Sequence, residues 1–439
     1  MKIEDKSLKK TFINFMLPSV TAQWVFALYS MIDGMFVARG VSEIALAGVN
    51  IAMPFLAFLF SISLMFAVGT STIIAIYFGK KQYEKASQIY TQNIVILAII
   101  SIIITVLVLF NLKNISYFLG ATDVNIKYVM QYVGVIACFS GLFTIGYSFD
   151  ILIKTDGRPK LATVIAITGT ILNCILDWLL IIVYDYGVLG AALATGISQA
   201  ILVVIYIILL TGKNATLKFC RFKLQINELY RTIKLGVPSG FTEMSAGIVI
   251  FIYNHAIITY LNEDALVSYT IVAYVNTIVV MTMAGIAQGF QPLVSYYYGK
   301  NQMDKCKKLL KYGLVSTVIF SFAFFIPTFF FAEEIVKVYI SQEMEALIKY
   351  STTVFRIFSI SFLILGYNII IGGYFTSIEK EKSAFMVAIS RGLIFIILSL
   401  IILVYLFKGE GIWWSAILSE IMCLFLTLTL WKRTEKQQN

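Results

Sequence analysis

Apolar runs long enough to cross about 30 Å of hydrocarbon follow one another along almost the whole chain, and no other feature limits the fold so tightly. The runs extend from about Thr11 to Arg39, Ala45 to Phe78, Gln92 to Leu112, Val129 to Ile153, Leu161 to Tyr184, Val188 to Leu210, Ile233 to Leu261, Ala265 to Tyr298, Leu309 to Phe331, Thr352 to Ser377, Ala384 to Phe407 and Gly411 to Leu430. The expected fold class is therefore an all-α membrane protein with twelve transmembrane helices. Of the 439 residues 59% are hydrophobic and 13% charged. Soluble chains carry about 25% charged residues, and no soluble core of this length could hide so much apolar surface. The N-terminal MKIEDKSLKK is basic, but the apolar run behind it exceeds a signal-peptide core and lacks a small-residue cleavage site, so it reads as an uncleaved first span.

Charge placement gives the orientation. Most of the 34 Lys and Arg residues lie at the two ends and in every second loop, among them Lys80, Lys81, Lys85, Lys154, Arg158, Lys160 and the run from Lys213 to Lys234. The opposite loops hold only Arg39, Lys113, Lys127, Lys337, Lys349 and Lys408. By the positive-inside rule both termini are expected in the cytoplasm of a multi-pass cell-membrane protein. The net charge of +10 is used up in this way, so nucleic acid is not an expected partner. The bilayer is, and a monomer is expected.

The chain also repeats itself. The shift in register that places Pro18 on Pro238 also aligns Gln23 with Glu243, Glu43-Ile44-Ala45-Leu46 with Glu263-Asp264-Ala265-Leu266, Gly69 with Gly289, and Gly79-Lys80-Lys81-Gln82 with Gly299-Lys300-Asn301-Gln302. Each repeat has an even number of spans, so both enter the membrane from the same side and are parallel, related by an axis along its normal. The expected organisation is two parallel-repeat six-helix bundles, residues 1–210 and 232–439, joined by a cytoplasmic loop over 211–231, with a central cleft between them.

Nothing points to an enzyme or to a cofactor. Cys138, Cys174, Cys220, Cys306 and Cys423 are scattered without metal or disulfide spacing. His255 is alone, and no phosphate-binding glycine loop is present. The informative residues are polar groups inside the spans, which should line the cleft. In the first half these are Gln23, Tyr29, Asp33, Gln131, Tyr147, Asp150, Asn173, Asp177, Thr195, Ser198 and Gln199. In the second they are Glu243, Asn254, Tyr274, Asn276, Gln288, Gln291, Arg356, Asn368, Arg391 and Glu420.

An acid well inside an apolar helix costs roughly 2.5 to 3.5 kcal/mol and is by default functional. Asp33 and Asp177 have neutral counterparts in the second repeat, near Tyr253 and Ser399, so ion coupling is expected in the first half. Tyr29 and Asp33 share a helix face, as do Asn173 and Asp177, each pair being i, i+4. Two acids, an amide and hydroxyls can share a proton or coordinate Na+ through oxygen. Asp177 could instead cap its helix near the interface beside Trp178.

Taken together, Pro18, Gln23, Tyr29, Asp33-Gly34, Gly79-Lys80-Lys81, Gly157-Arg158-Pro159-Lys160, Asn173 with Asp177, and Gly187-Val188-Leu189-Gly190-Ala191-Ala192 resemble the multidrug and toxic compound extrusion (MATE) family, its MepA-like branch most closely. The resemblance covers essentially the whole chain. It implies an efflux antiporter that expels cationic, amphipathic drugs and dyes against inward H+ or Na+. It also implies a coupling site at Asp33, Asn173, Asp177 and Thr195, with Tyr29 one turn before the first acid, and any Na+ at Asp33, Asn173 and Asp177. A seventh-span acid of some branches falls on Glu243. The tenth-span acid of others has no match between Phe362 and Ser377.

For substrate, Glu243 facing Gln23 across the cleft could meet a cation. Tyr147, Asn276, Gln291 and Arg391 complete the expected polar contacts, and Met31, Met53, Met65, Met244, Met281, Met283, Phe26, Phe66, Phe143 and Phe290 could supply adaptable walls, although each of these is more readily explained by packing or lipid contact. Arg391 should pair with an acid or line water. The alternative function is a lipid-linked oligosaccharide or polysaccharide flippase of the same superfamily, which would call for many basic residues in the cleft.

Overall fold

The computed structural model describes residues 7–212, 215–341 and 343–438. The first six residues of the basic N-terminus, and Lys213 and Asn214 of the expected linker, lie outside them. All regular structure among the described residues is helical. The first half comprises α1 (Leu8–Gly40), α2 (Glu43–Gly79), α3 (Tyr83–Phe110), α4 (Leu112–Phe118), α5 (Ile126–Cys138), α6 (Ser140–Thr155), α7 (Pro159–Asp177) and α8 (Gly187–Thr211). The second comprises α9 (Ile226–Tyr260), α10 (Glu263–Gly299), α11 (Met303–Phe330), α12 (Ala332–Tyr339), α13 (Glu345–Ser359), α14 (Phe362–Ser377), α15 (Glu381–Ile389), α16 (Phe395–Phe407) and α17 (Gly411–Gln438).

Ten of the described helical stretches are long and apolar enough to cross a bilayer, and α5 with α6, bent by 56° at Phe139, supply one more. The last stretch, Glu381–Lys436, runs 56 residues, about 84 Å at 1.5 Å per residue, and it reverses at Lys408 (φ 55°). There α16 folds back on α17, giving the twelfth crossing. Side chains such as Ile102, Phe251 and Ile401 point outward, as expected of helices whose outer faces meet lipid.

The repeat is copied in local chemistry. Ser42 caps α2 by accepting from Ala45 N at 3.3 Å, and Asn262, its counterpart in the second repeat, caps α10 by accepting from Ala265 N at 3.0 Å. At the other ends Lys81 (φ 60°) and Asn301 (φ 57°) take the left-handed conformation. Gln82 N then donates to Tyr77 O, and Gln302 N to Tyr297 O, each at 2.9 Å, the six-to-one bond of a Schellman stop. Even the short connecting helices α4 and α12, which hydropathy alone does not predict, begin at matching positions, Leu112 and Ala332.

The halves approach each other closely where α2 packs on α9 and where α2 and α10 cross. A Cβ on Gly79 would collide with the Tyr296 carbonyl, and one on Gly299 with the Ile76 carbonyl. The repeat register exchanges these two contacts, so the local twofold axis passes between the glycines. Around them one apolar core takes residues from both halves, including Phe12, Met16, Ile73 and Phe78 with Leu235, Phe290 and Leu293. At the opposite end of α1 and α2 the core of Val37, Val49, Phe55 and Val133 draws on the first half alone. The halves are thus fused at the end where α1 starts and α2 stops, and they separate toward the other.

A polar seam reinforces the closed end. Asn93 Nδ2 donates to Thr70 Oγ1 (2.9 Å) and to Thr232 Oγ1 (3.1 Å). Tyr77 donates to Glu228 Oε1 at 2.5 Å, Lys85 lies 3.5 Å from that same carboxylate, and Arg231 pairs with both Glu228 and Glu379. These contacts explain one departure from the sequence reading. The expected loop over 211–231 is already helical from Ile226, because Glu228 and Arg231, one turn apart on α9, are held in the seam.

Lys154 departs further. It reads as a loop cation from sequence, yet it belongs to α6 and is 1% exposed, with its ammonium 2.6 Å from Asp150 Oδ2 and 3.4 Å from Gln288 Oε1. The helix runs two residues past the Ile153 at which the apolar run stops, and the i, i+4 carboxylate neutralises the charge it takes in there.

Candidate functional site

Two polar sites occupy different places in the fold. The first is confined to the first half. Asp33 on α1 and Asp177, the last residue of α7, turn their carboxylates toward each other. Tyr29, one turn before Asp33, lies against Thr195 of α8, and Tyr132 of α5 faces both acids. Asp177 and Asn173 are 0% and 1% exposed. Asp33 Oδ1, both Asp177 oxygens and both amide atoms of Asn173 are buried and bond to no described residue. Removing such groups from water without partners is costly, so the cluster has unfilled capacity for something that donates to, or coordinates, oxygen. Among the described residues no three His, Cys, Asp or Glu side chains converge on a metal site. The donors here are two carboxylates with an amide and hydroxyls.

Why these residues meet is a matter of helix ends. Just after Asp177 the chain enters a π-helical stretch, Trp178–Val183, and α1 packs on that stretch through Gly40, where a Cβ would strike Ile181. A π-turn widens the helix and re-aims its side chains. Asp177, immediately before that stretch, is buried beside Asp33.

The second site is a cavity of about 440 Å3 between the halves, within the range of about 300–1,000 Å3 typical of small-molecule pockets. Gln23, Tyr147, Glu243, Asn276, Gln291 and Arg391 all line it. From the first half come Gln23, Phe26, Phe60, Leu64, Val68 and Tyr147, and the second half supplies the rest of the wall. Gln23 Nε2 donates to Gln288 Oε1 at 3.0 Å across the floor, and Gln291 Nε2 donates to Thr72 Oγ1 at 3.1 Å. An edge-on cluster of Phe26, Phe60 and Tyr147, with centroids 5.6–5.8 Å apart, forms the first-half wall. Phe26 also packs on Tyr29 at 6.0 Å, so the wall of the cavity adjoins the acid cluster.

The expectation that all polar residues within the spans line one cleft is therefore corrected. Asp33, Asn173, Asp177, Thr195 and Tyr29 are not in the cavity wall, and neither are Gln131, Asp150, Ser198, Gln199, Asn254, Tyr274 or Arg356. Asp33 is ten residues from Gln23 on the same helix, which turns it about 80° around the axis, away from the second half and toward α7. Of the Met and Phe side chains proposed as walls, Phe26 and Met281 line the cavity and the others do not. The partner of Arg391, which sequence could not supply, is Glu420: Nε lies 3.0 Å from its Oε1, while Asn368 Nδ2 donates to Oε2 at 2.7 Å. Gln288, Asn368 and Glu420 carry only the weak signal of being polar within a span.

Fold and sites together define a class: a polytopic membrane protein of two like halves around a shared cavity, the build of a secondary transporter. The MatE family model matches residues 18–179 and again residues 238–401, and the starts of the two matches, Pro18 and Pro238, are the prolines that the internal repeat aligns. The chain belongs to the MatE family. "Multidrug export protein MepA" of Staphylococcus haemolyticus is 24% identical over 430 residues, covering 97% of this chain and 93% of the relative. The protein of the same name from Staphylococcus saprophyticus is 22% identical over 431 residues, covering 97% and 94%. Two solved structures, "Outward-facing conformation of a multidrug resistance MATE family transporter of the MOP superfamily" and "Crystal structure of MATE in the straight conformation", each match with a TM-score of 0.92 at 20% identity, covering 98% of this chain and 96% of theirs. At that identity they establish the twelve-helix fold.

Proposed function

We propose that this chain is a cation-coupled multidrug efflux antiporter of the cell membrane, expelling amphipathic, mostly cationic compounds by alternating access, with H+ or Na+ as the coupling ion. The observation that carries this reading is the separation of two charged sites. One is the closed cluster of Asp33, Asp177, Asn173, Thr195 and Tyr29 with unfilled oxygens. The other is a drug-sized cavity holding Glu243. Phe26 touches both, so an ion filling the cluster would alter the cavity wall. The names of the staphylococcal relatives support an export role. With the termini in the cytoplasm, as the loop charges favour, the closed end is cytoplasmic and the cavity faces outward. Each charge moved across the membrane then supplies about 2.3 kcal/mol per 100 mV, a shift of more than tenfold in a two-state equilibrium.

The flippase alternative is disfavoured by the cavity. Among the described residues Arg391 is the only basic side chain lining it, and it is paired with Glu420. Dye transport into everted vesicles, with Na+ and pH gradients imposed separately, tests the proposal. One gradient should drive accumulation, and absence of gradient-dependent transport under both would refute it.

A further inference from the structure

Lys307 of α11 lies 4.0 Å from Glu435 of α17, so the start of one helix adjoins the end of the other at the closed end of the molecule. Leu314 and Trp431 pack on one small apolar core beneath the contact. Lys308 and Lys311 on α11, with Lys432, Arg433 and Lys436 on α17, are exposed and pair with no described acid. At about 100° per residue, Lys308 and Lys311 are turned from Lys307, and Lys432 and Lys436 from Glu435, by about 40–100° in the same sense along the chain. The two helices are antiparallel here, so equal turns open on the same outward side and form one basic trough. Below the lysines the exposed face of α11 continues at helical spacing as Val315, Ile319, Phe322 and Ile326, with Phe425 on α17.

The internal repeat shows the same face covered. The residues matching Lys307, Lys308 and Lys311 are Ser87, Gln88 and Thr91 on α3. The linker lies over them: Lys218 N donates to Ser87 Oγ at 3.3 Å, Cys220 N to Thr91 Oγ1 at 3.1 Å, and Gln225 Nε2 to Gln88 Oε1 at 3.2 Å. The apolar stripe below recurs as Val95, Ile99, Ile102 and Val106. In the second half α17 runs on to Gln438, past the position matching the end of α8, and brings cations in place of a linker. Cations gathered this closely repel one another until an anion joins them. We propose that the trough between α11 and α17 docks an anionic phospholipid of the adjacent leaflet, its phosphate held by Lys308, Lys311 and Lys432 and its acyl chains lying along the apolar stripe. Nucleic acid or an acidic protein would use the cations and leave the stripe without a role.

For the test, detergent-purified full-length protein is titrated with dioleoylphosphatidylglycerol and, separately, dioleoylphosphatidylcholine, and bound lipid is counted by native mass spectrometry. The unsubstituted protein should prefer phosphatidylglycerol. Lys308→Gln with Lys311→Gln and Lys432→Gln should weaken that lipid about ten- to a hundredfold, since each Lys at an anionic lipid surface contributes about fivefold. Unchanged uptake of phosphatidylcholine reports an intact fold. If uptake of both lipids falls, Lys311→Gln with Lys432→Gln repeats the comparison, and equal loss of both lipids there too overturns the site. The control Lys160→Gln with Arg221→Gln and Lys223→Gln removes the same charge from exposed positions elsewhere at the closed end and should keep the preference. An equal loss in the control, no loss in the trough variant, or displacement of the lipid by equimolar glycerol 3-phosphate overturns the proposal. A lipid-free dimer abolished by the trough substitutions would give the face to a second copy of the chain and overturn it likewise.

Discussion

Lys154 and Asp150 form an ion pair of 2.6 Å one helical turn apart on α6, and the lysine also reaches 3.4 Å to Gln288 of the other half. Tyr206 donates to the second Asp150 oxygen at 3.3 Å. The pair sits beneath the cavity floor, next to the Gln23–Gln288 bond, so it ties the half that carries the acid cluster to the half that supplies most of the cavity wall.

Removing one member of a buried pair strands the other, at a cost of about 3–5 kcal/mol, whereas removing both is often nearly neutral. Lys154→Met should therefore lower the melting temperature of the detergent-purified protein markedly, and Lys154→Met with Asp150→Leu should recover most of the loss. A double variant no more stable than the single would refute this account.

Asp33 and Asp177 face each other, so they are expected to act as one site. Asp33→Asn and Asp177→Asn should each reduce gradient-driven efflux to less than a tenth of normal, leave dye binding in the cavity at least partly intact, and give a double variant no worse than either single. Vesicle transport assays on the three variants decide the matter. Multiplying defects, or active efflux in both singles, would mean two separate functions.

Glu243 supplies the carboxylate expected to meet cationic substrates. Glu243→Gln should weaken export of dications more than that of monocations, because Coulomb attraction scales with the charge it acts on. Parallel efflux measurements with the two dye classes provide the readout. Equal losses, or an equal loss for neutral compounds, would point to a structural or ion-coupling role.

Both termini and the loop over 211–231 should be cytoplasmic. Membrane-impermeant maleimide should fail to label a cysteine placed in that loop in intact cells and should label it after permeabilisation. Labelling from outside would reverse the direction assigned to the closed end.

The twelve spans and their doubling were legible in the order of residues, since apolar run length and a constant repeat register are local, one-dimensional properties. Asp33, Asp177 and Glu243 stood out in the same way, because an acid in an apolar helix is conspicuous without any neighbour. Which polar residues share a site was settled by the packing of the helices. Gln23 and Asp33 occupy one helix, yet the turn between them sends the first into the cavity and the second to α7. Lys154 looks like a loop cation until its burial and its contact with Gln288 are seen. The two π-helical stretches, one following Asp177 and one containing Arg391, leave no mark in hydropathy, because a one-residue widening of a helix conserves composition and changes only direction. The Arg391–Glu420 pair joins residues 29 positions apart, on helices folded against each other, and contacts of that kind exist only once the chain has packed.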